Sequence, residues 1–523
     1  MAKGLATRRL RYALRQAQAA HGPVPAPRLS RRRLLGTALA AGGLGLAPSM
    51  ALGRIGNPRI AIIGAGIAGL NAAWQLRKEG LEATVYEARN RVGGRMLSRV
   101  GVVEPGITTD IGGSLVNTDH ADLRGLLKEF DLDLYDRRSD AGRLNVRATG
   151  WFVDKRNVDE AEIAEGLRSI ANQIVVDAER VDADFEKLAP KFDGLTVKAY
   201  LDQHAGLIRA PFARQLLENA IRTEYGVEPE QSSALQLLFL LPTVKGKAVE
   251  LLAYSDEAFV VCEGSGRLPE RMAERLGTQV QLGMPLVALA DAGTGYELTF
   301  AGAGGATKRV QADLVILACP FTTLRRVKLA LKLPALLRRC VEEVGLGRNE
   351  KVFAGYRERV WHRKDGFAGE LWADESLDYP LAWDDSQRQP DQDPGVLNFF
   401  VGGDQVEPAL AGSTAEAGRR FVVQLDRALA GTAAFATGNY LRTGWSREPY
   451  TRGAYTNLTP GQYTRFAAYR WIEAKDPDER VEVGFGNLLF AGEHTSDEYY
   501  GFMNGAAQTG RLAAETALRR LAT

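Results

Sequence analysis

The sequence predicts an α/β fold in which a parallel sheet is assembled from distant parts of the chain and a second, mixed α+β domain occupies the intervals. Three observations predict it. A short apolar run, Arg59-Ile60-Ala61-Ile62-Ile63, leads into a glycine-rich turn and then a helix; buried parallel strands read this way because both their faces are covered. A second run of the same kind, Leu314-Val315-Ile316-Leu317, lies far downstream. A third, Asn487-Leu488-Leu489-Phe490, comes near the C-terminus and is followed by a turn and a final helical pattern. The length, 523 residues, exceeds what one core organises and asks for two or three domains.

The first strand enters Gly64-Ala65-Gly66-Ile67-Ala68-Gly69, and an amphipathic helix follows from Leu70 to about Lys78, stopped by Gly80. The next strand, Ala83-Thr84-Val85-Tyr86, ends at Glu87. Glycines here permit a tight turn and let backbone N–H groups approach a pyrophosphate at the helix N-terminus. Glu87, 18 residues beyond Gly69, is placed to accept ribose hydroxyls. Strand, turn, helix, strand and acid in this order make a Rossmann-like dinucleotide site, without saying which dinucleotide it takes.

The following residues narrow the choice. Glu87-Ala88-Arg89-Asn90-Arg91-Val92-Gly93-Gly94-Arg95 resembles the run with which the flavin-containing amine oxidases, of the monoamine and polyamine oxidase type, continue their second strand. The resemblance implies FAD, with Gly94 and Arg95 about its pyrophosphate. Asp110-Ile111-Gly112-Gly113-Ser114 is similar to the family segment in which Gly113 and Ser114 approach the flavin. The run through Phe490-Ala491-Gly492-Glu493-His494-Thr495, with Gly501-Phe502-Met503-Asn504-Gly505 opening the last helix, resembles the family's C-terminal flavin segment. It implies Glu493, after Gly492, at the ribityl–pyrophosphate region and the Met503 backbone at the flavin pyrimidine ring. The positive end of that helix would stabilise reduced flavin. Leu314 to Pro320 matches an apolar family strand ending in Ala-x-Pro, and Val287 is expected against the adenine. These pieces make the FAD-binding domain discontinuous, over 56–140, 250–335 and 470–523. The segments 141–249 and 336–469 are expected to form the substrate-binding domain. The first is helical by pattern, and the acids between Asp159 and Lys187 read as a solvated helix face.

On the substrate side, Glu350-Lys351-Val352-Phe353-Ala354-Gly355-Tyr356 reads as a strand. A lysine at a strand edge is ordinarily exposed, but Asn349-x-Lys351-Val352 matches the family's lysine, which is bonded through water to flavin N5 and assists oxygen reduction. The segment from Trp445 to Tyr455 resembles one in which the tryptophan flanks the flavin and the last aromatic is one wall of a substrate cage; Phe502 is the expected facing wall. The residue before Tyr455 is Ala454, where covalently flavinylated members carry cysteine, so the FAD is expected to be non-covalent. Two departures stand out: Phe502 replaces the tyrosine of monoamine oxidases, and Gly113-Ser114-Leu115-Val116-Asn117 lacks the arginine with which L-amino-acid oxidases bind the substrate carboxylate. The activity implied is oxidative deamination of primary or secondary amines by molecular oxygen, giving aldehyde, ammonia or a shorter amine, and hydrogen peroxide. An L-amino-acid oxidase, an amine dehydrogenase that passes electrons to a periplasmic carrier, and a flavin-bound protein without turnover are the rivals.

Charge is unevenly spread. Residues 1–51 hold nine of the 66 lysines and arginines and no acid; setting the nine aside leaves 57 basic residues against 64 acidic ones, a net charge of −7. An acidic body excludes nucleic acid as a partner and favours a cationic small substrate. Ser30-Arg31-Arg32-Arg33-Leu34-Leu35 followed by an uncharged stretch to Ser49-Met50-Ala51 reads as a twin-arginine signal with a small-residue cleavage pattern. Its four glycines and one proline between Leu34 and Ala51 make it a poor stable membrane span. The expectation is export as a folded protein by the twin-arginine machinery to the periplasm. Three cysteines are too few for a disulfide framework, and five histidines without paired spacing give no metal site.

Overall fold

The computed structural model of the protein describes residues 58–522, so the twin-arginine signal assigned to 1–51 lies outside the described residues. Ile60–Ile63 is wholly buried and central. It pairs in parallel with Ala83–Tyr86 on one side and with Leu314–Leu317 on the other. Val280–Gln281 extends the sheet beyond Ala83–Tyr86, and Leu488–Phe490 and then Gly484–Phe485 extend it beyond Leu314–Leu317. Only the last pairing is antiparallel. The sequence order therefore reverses about the first strand, and in an open α/β sheet a crevice forms at the carboxyl ends where that happens.

Two helices cover this crevice. Ile67–Lys78 follows the glycine turn, beginning inside the motif because Gly66 is the extended N-cap residue. Met503–Leu521 lies against it. The approach is close: a Cβ on Gly510 would stand 2.2 Å from the Ala68 carbonyl oxygen, and Asn71 Nδ2 donates to the Ala507 carbonyl at 2.7 Å.

A second sheet of seven strands has the order Ala436–Arg442, Asn349–Tyr356, Gly395–Gly402, Leu381–Asp384, Phe367–Ala373, Arg147–Val153 and Arg156–Asn157. Every residue of Asn349–Tyr356 is buried. Helix Thr414–Ala428 packs on one face, where Gly418 admits the Tyr440 ring. A helical layer completes this half, with Glu160–Ala183, Phe185–Asp193, Val197–Gln203, Pro211–Tyr225 and Ala234–Leu240. The first of these buries Ile163, Leu167, Ile170 and Ile174, the apolar stripe of an amphipathic helix. Its acids are not all solvated, as expected from the pattern: Asp177 is 2% exposed and accepts a hydrogen bond from the Tyr200 hydroxyl at 3.0 Å. Pro211–Tyr225 stops at Gly226, whose φ of 63° closes the helix in the left-handed region. All three cysteines are free. No helix among the described residues is long and apolar enough to cross a membrane.

Candidate active site

A cavity of about 620 Å³ opens beyond the carboxyl ends of Ile60–Ile63 and Leu314–Leu317. Its walls hold every cofactor residue expected from the sequence except Gly69: Gly64, Gly66, Ala68, Glu87, Ala88, Arg89, Gly94, Arg95, Gly113, Ser114, Val287, Trp445, Gly492, Glu493 and Met503. Lys351, Tyr455 and Phe502 line it as well. Gly69 stands behind the turn, where a Cβ would meet the Gly64 carbonyl oxygen at 2.0 Å; it permits helix–strand contact rather than ligand approach.

At one end the glycine turn leaves open space beside Gly66, where an added Cβ would meet nothing within 4 Å. The helix it opens has no side-chain cap and no acid in its first turn, so its first N–H groups and positive dipole end are free for an anion. Gly93 N donates to the Ala65 carbonyl at 2.8 Å, laying the second glycine run on the first. The Glu87 carboxylate accepts from Ala65 N at 2.8 Å and Arg89 N at 2.9 Å. Arg89 in turn pairs with Glu448 and donates to Thr451, tying this loop to the Trp445–Tyr455 segment. Val287 reaches the wall from strand Leu286–Asp291 at a bulge that shifts register between Leu286 and Ala288.

Farther in, Arg95 bridges the two halves, with Nη1 donating to the Ala454 carbonyl and, at 2.8 Å, to Glu493. Glu493 also accepts from the Thr456 hydroxyl at 2.8 Å and Gly501 N at 2.7 Å. Burial raises its pKa, but Arg95, His494 and these hydrogen bonds outweigh burial and hold it below the ordinary carboxylate value. The helix beginning at Met503 also lacks a side-chain cap and has no acid in its first turn.

Lys351 projects from the buried strand Asn349–Tyr356. Its Nζ donates to the carbonyls of Asp110 (3.0 Å) and Gly112 (2.7 Å) and to the Ser114 hydroxyl (2.7 Å). It stands 5.2 Å from the centre of the Trp383 ring. Burial lowers its pKa to about 8; Asp385 and Asp110 oppose that fall, and Arg388 adds to it. Arg388 and Asp110 form a fully buried ion pair at 2.6 Å. Asp385 accepts from Asp110 N at 3.1 Å and is pushed up to about 7, first by burial. Trp445 is fixed by its indole N–H, which donates to the Ile111 carbonyl at 3.0 Å. Its loop is fixed by Glu350, which accepts from Trp445 N (2.9 Å) and Ser446 N (2.8 Å).

The remaining wall is aromatic and acidic. Phe502 lies between the His120 ring, 5.1 Å away, and the Tyr254 ring, 5.8 Å away. Burial lowers the His120 pKa to about 4, leaving a neutral imidazole. The Tyr254 hydroxyl donates to Glu224 at 2.7 Å, and Glu257 lines the same wall. Tyr455 has its phenol pKa raised well above the ordinary value, by burial first and then by Glu224 and Glu257; both acids thus lie near this ring.

The model for flavin-containing amine oxidoreductases matches residues 67–518. The chain belongs to that family. An L-amino acid dehydrogenase of Synechocystis sp. is 25% identical over 469 residues, covering 87% of this chain and 93% of that protein. Amine oxidase B of Homo sapiens is 24% identical over 480 residues, covering 88% and 86%. Putrescine oxidase bound to putrescine has the same fold, with a TM-score of 0.72 at 24% identity over 88% of this chain and 99% of that one. Cyclohexylamine oxidase from Brevibacterium oxydans gives 0.70 at 21%, over 90% and 100%.

A flavin amine oxidoreductase uses FAD, and the cavity fits it. Two uncapped helix N-termini face one cavity, a double acceptor site for pyrophosphate and for an electron-rich ring. Glu87 stands beside the first, and the wall combines glycines and apolar side chains with the paired Arg95 and Glu493. Sequence reasoning missed Glu350, which holds the Trp445 loop, Asp385 and Arg388 near Lys351, and Tyr254, Glu224 and Glu257 on the aromatic wall. Glu224 had a readable signal, because it follows Leu217 by seven residues and Ala220 by four on a helix that buries both. An acid on an apolar stripe is exceptional. Glu257 offered none.

Proposed function

We propose that the protein oxidises primary or secondary amines that carry no carboxylate, monoamine or polyamine, to an aldehyde and ammonia or a shorter amine, with molecular oxygen as acceptor. The observation that carries this reading is the charge of the wall about Tyr455 and Phe502. Glu224 and Glu257 line it, and three of the cationic residues of the cavity are engaged elsewhere: Arg89 pairs with Glu448, Arg95 with Glu493, and Lys351 with the Asp110 and Gly112 carbonyls. An amino acid would bring its carboxylate into a wall of two acids with no arginine beside Tyr455 and Phe502 to receive it, and an unpaired buried carboxylate costs several kcal/mol. Although one relative is named an L-amino acid dehydrogenase, this wall opposes that substrate class.

Bound FAD supplies the two-electron acceptor for a hydride equivalent from the amine α-carbon, and oxygen takes the electrons on as hydrogen peroxide. Tyr455 and Phe502 flank the amine and orient it by their ring faces. Lys351 holds a proton beside the flavin end and assists oxygen reduction. Gly64, Gly66, Glu87, Arg95 and Glu493 hold the cofactor. The FAD is non-covalent, since Ala454 presents no thiol; after acid precipitation the yellow colour belongs in the supernatant, and a washed pellet that stays yellow would refute it. The strands of the parallel sheet come from residues 60–86, 280–317 and 484–490, which supports a cofactor domain of 56–140, 250–335 and 470–523 with the substrate domain on 141–249 and 336–469. The decisive experiment compares kcat/KM for an amine and for the α-amino acid with the same side chain. The amine is expected to be the better substrate, and the reverse order overturns the reading.

A further inference from the structure

Residues 445–455 run along the cavity wall without forming helix or strand, and their two ends are held differently from their middle. We propose that Glu448 is a positioning residue for the cofactor: through Arg89 it latches the middle of this segment over the dinucleotide end of the cavity, and the latch sets how long FAD stays bound. The inference rests on the non-covalent FAD read above from Ala454.

Both ends of the segment are fixed by several bonds. At the first, Glu350 accepts from Trp445 N, Ser446 N and, at 2.7 Å, the Ser446 hydroxyl, while the Trp445 indole donates to Ile111. At the second, Ala454 N donates to the Gly347 carbonyl and Gly347 N to the Tyr455 carbonyl, each at 2.8 Å. The middle is built otherwise. Arg447, Pro449 and Tyr450 are exposed, although Pro449 and Tyr450 line the same cavity as Glu87 and Arg89. Apolar burial therefore contributes little to keeping the middle closed, and its polar contacts decide.

Those contacts converge on Arg89, three residues beyond strand Ala83–Tyr86. Its Nε donates to Glu448 at 3.2 Å and its Nη2 to the other oxygen of the same carboxylate, a forked pair. Nη2 also donates to the Thr451 hydroxyl at 2.6 Å, and that hydroxyl donates onward to Glu448 at 3.0 Å. Tyr450 N donates to Glu448 at 3.0 Å, and the Tyr450 ring centre lies 5.6 Å from the guanidinium. Besides these, the Thr322 hydroxyl donates to the Thr451 carbonyl at 2.9 Å, and Arg447 makes an exposed pair with Glu407 that stabilises little.

The side chains of Arg89 and Glu448 are 13% and 28% exposed, so their attraction is only partly screened. On its other side Arg89 Nη1 stands 3.7 Å from Glu87, the acid beside the glycine turn. Glu448 thus holds the guanidinium in place beside that acid and holds the loop against the guanidinium. Val287 and Tyr450, both 39% exposed, belong to the cavity wall. This end of the cavity therefore reaches the surface, and opening of the loop middle gives the dinucleotide a way out.

The test follows the FAD-loaded full-length enzyme after dilution into flavin-free buffer. Flavin fluorescence records release and circular dichroism records unfolding in the same sample. Glu448→Gln is expected to release FAD roughly 10- to 100-fold faster than the wild type, as loss of one partner of a partly buried charge pair does, and release should precede any loss of ellipticity. Adding Glu448→Gln to Arg89→Gln should leave the release rate of the Arg89 variant unchanged, because the pair is already broken. Effects that multiply overturn the latch, as does release that only accompanies unfolding, or a Glu448→Gln rate equal to that of the wild type. Should Glu448→Gln not fold, Thr451→Val removes the hydroxyl shared by Arg89 and Glu448, with an expected acceleration of about 3- to 10-fold; a wild-type rate in that variant overturns the latch equally. Flavin that stays with the acid-precipitated wild-type chain refutes the non-covalent reading and the latch with it, whereas a failure confined to the variants leaves that reading standing.

Discussion

Lys351 begins at a strand position where a lysine is ordinarily solvated, yet it is 7% exposed and ringed by two carbonyls and a hydroxyl. Those three acceptors favour its charged form, while burial opposes it. With a pKa lowered to about 8, the ammonium is complete below that value and lost above it, so the rate of flavin reoxidation by oxygen should be level at neutral pH and fall as pH rises through about 8. Asp385→Asn removes a carboxylate that raises this pKa and should move the fall to lower pH; a stopped-flow pH profile identical to the wild type would exclude the coupling. Lys351→Met should slow reoxidation about a hundredfold, the lower end of what a positioned proton donor contributes, and leave reduction by substrate much less affected. The lysine was legible because Asn349-x-Lys351-Val352 is a local pattern. Asp385, Arg388 and Glu257 were not, because their meaning lies in what stands opposite them. Arg388 meets Asp110 across 278 residues of chain, and no local spacing encodes that meeting.

At the scale of elements, the parallel strands were readable because a strand covered on both faces has no polar phase, and Ile60–Ile63 and Leu314–Leu317 are buried at every residue. The second sheet, antiparallel except for one pairing, was foreseen only as part of a mixed α+β domain. Its strands Phe367–Ala373 and Leu381–Asp384 are almost as thoroughly buried, but the parallel partner of the first is Arg147–Val153, far back in the chain. Where sequence placed the first helix at Leu70, the helix starts at Ile67, since glycine allows the cap residue to lie within the motif. The pairing of this helix with Met503–Leu521 sets the distance between the two uncapped N-termini. Gly510→Val would drive a side chain into the Ala68 carbonyl, only 2.2 Å from the added Cβ. Overpacking of this kind costs about 1–3 kcal/mol, and separation of the helices should weaken FAD binding as well. A lowered Tm together with a raised FAD Kd is the expected result. A lowered Tm with unchanged FAD affinity would show that the helix pair does not set the cofactor site.

For the whole molecule, the feature with the widest consequence is that one cavity is walled by residues from Ile63 to Ala506. No fragment of the chain contains the site, because the first glycine turn, the Lys351 strand and the final helix must all be in place before FAD is enclosed. Cofactor binding then stabilises the folded chain by mass action, and loading has to follow completion of nearly the entire polypeptide. That order of events agrees with the export route proposed from Ser30-Arg31-Arg32-Arg33-Leu34-Leu35, since a twin-arginine signal directs proteins that are already folded. Replacing Arg31 and Arg32 together by lysine should leave yellow, FAD-loaded, catalytically active protein in the cytoplasm and deplete the periplasm. Fractionation with activity and flavin fluorescence measured in both compartments reads this directly. Unchanged periplasmic activity would refute the signal assignment. Cytoplasmic protein that lacks flavin would instead refute the order proposed, in which FAD is captured before export.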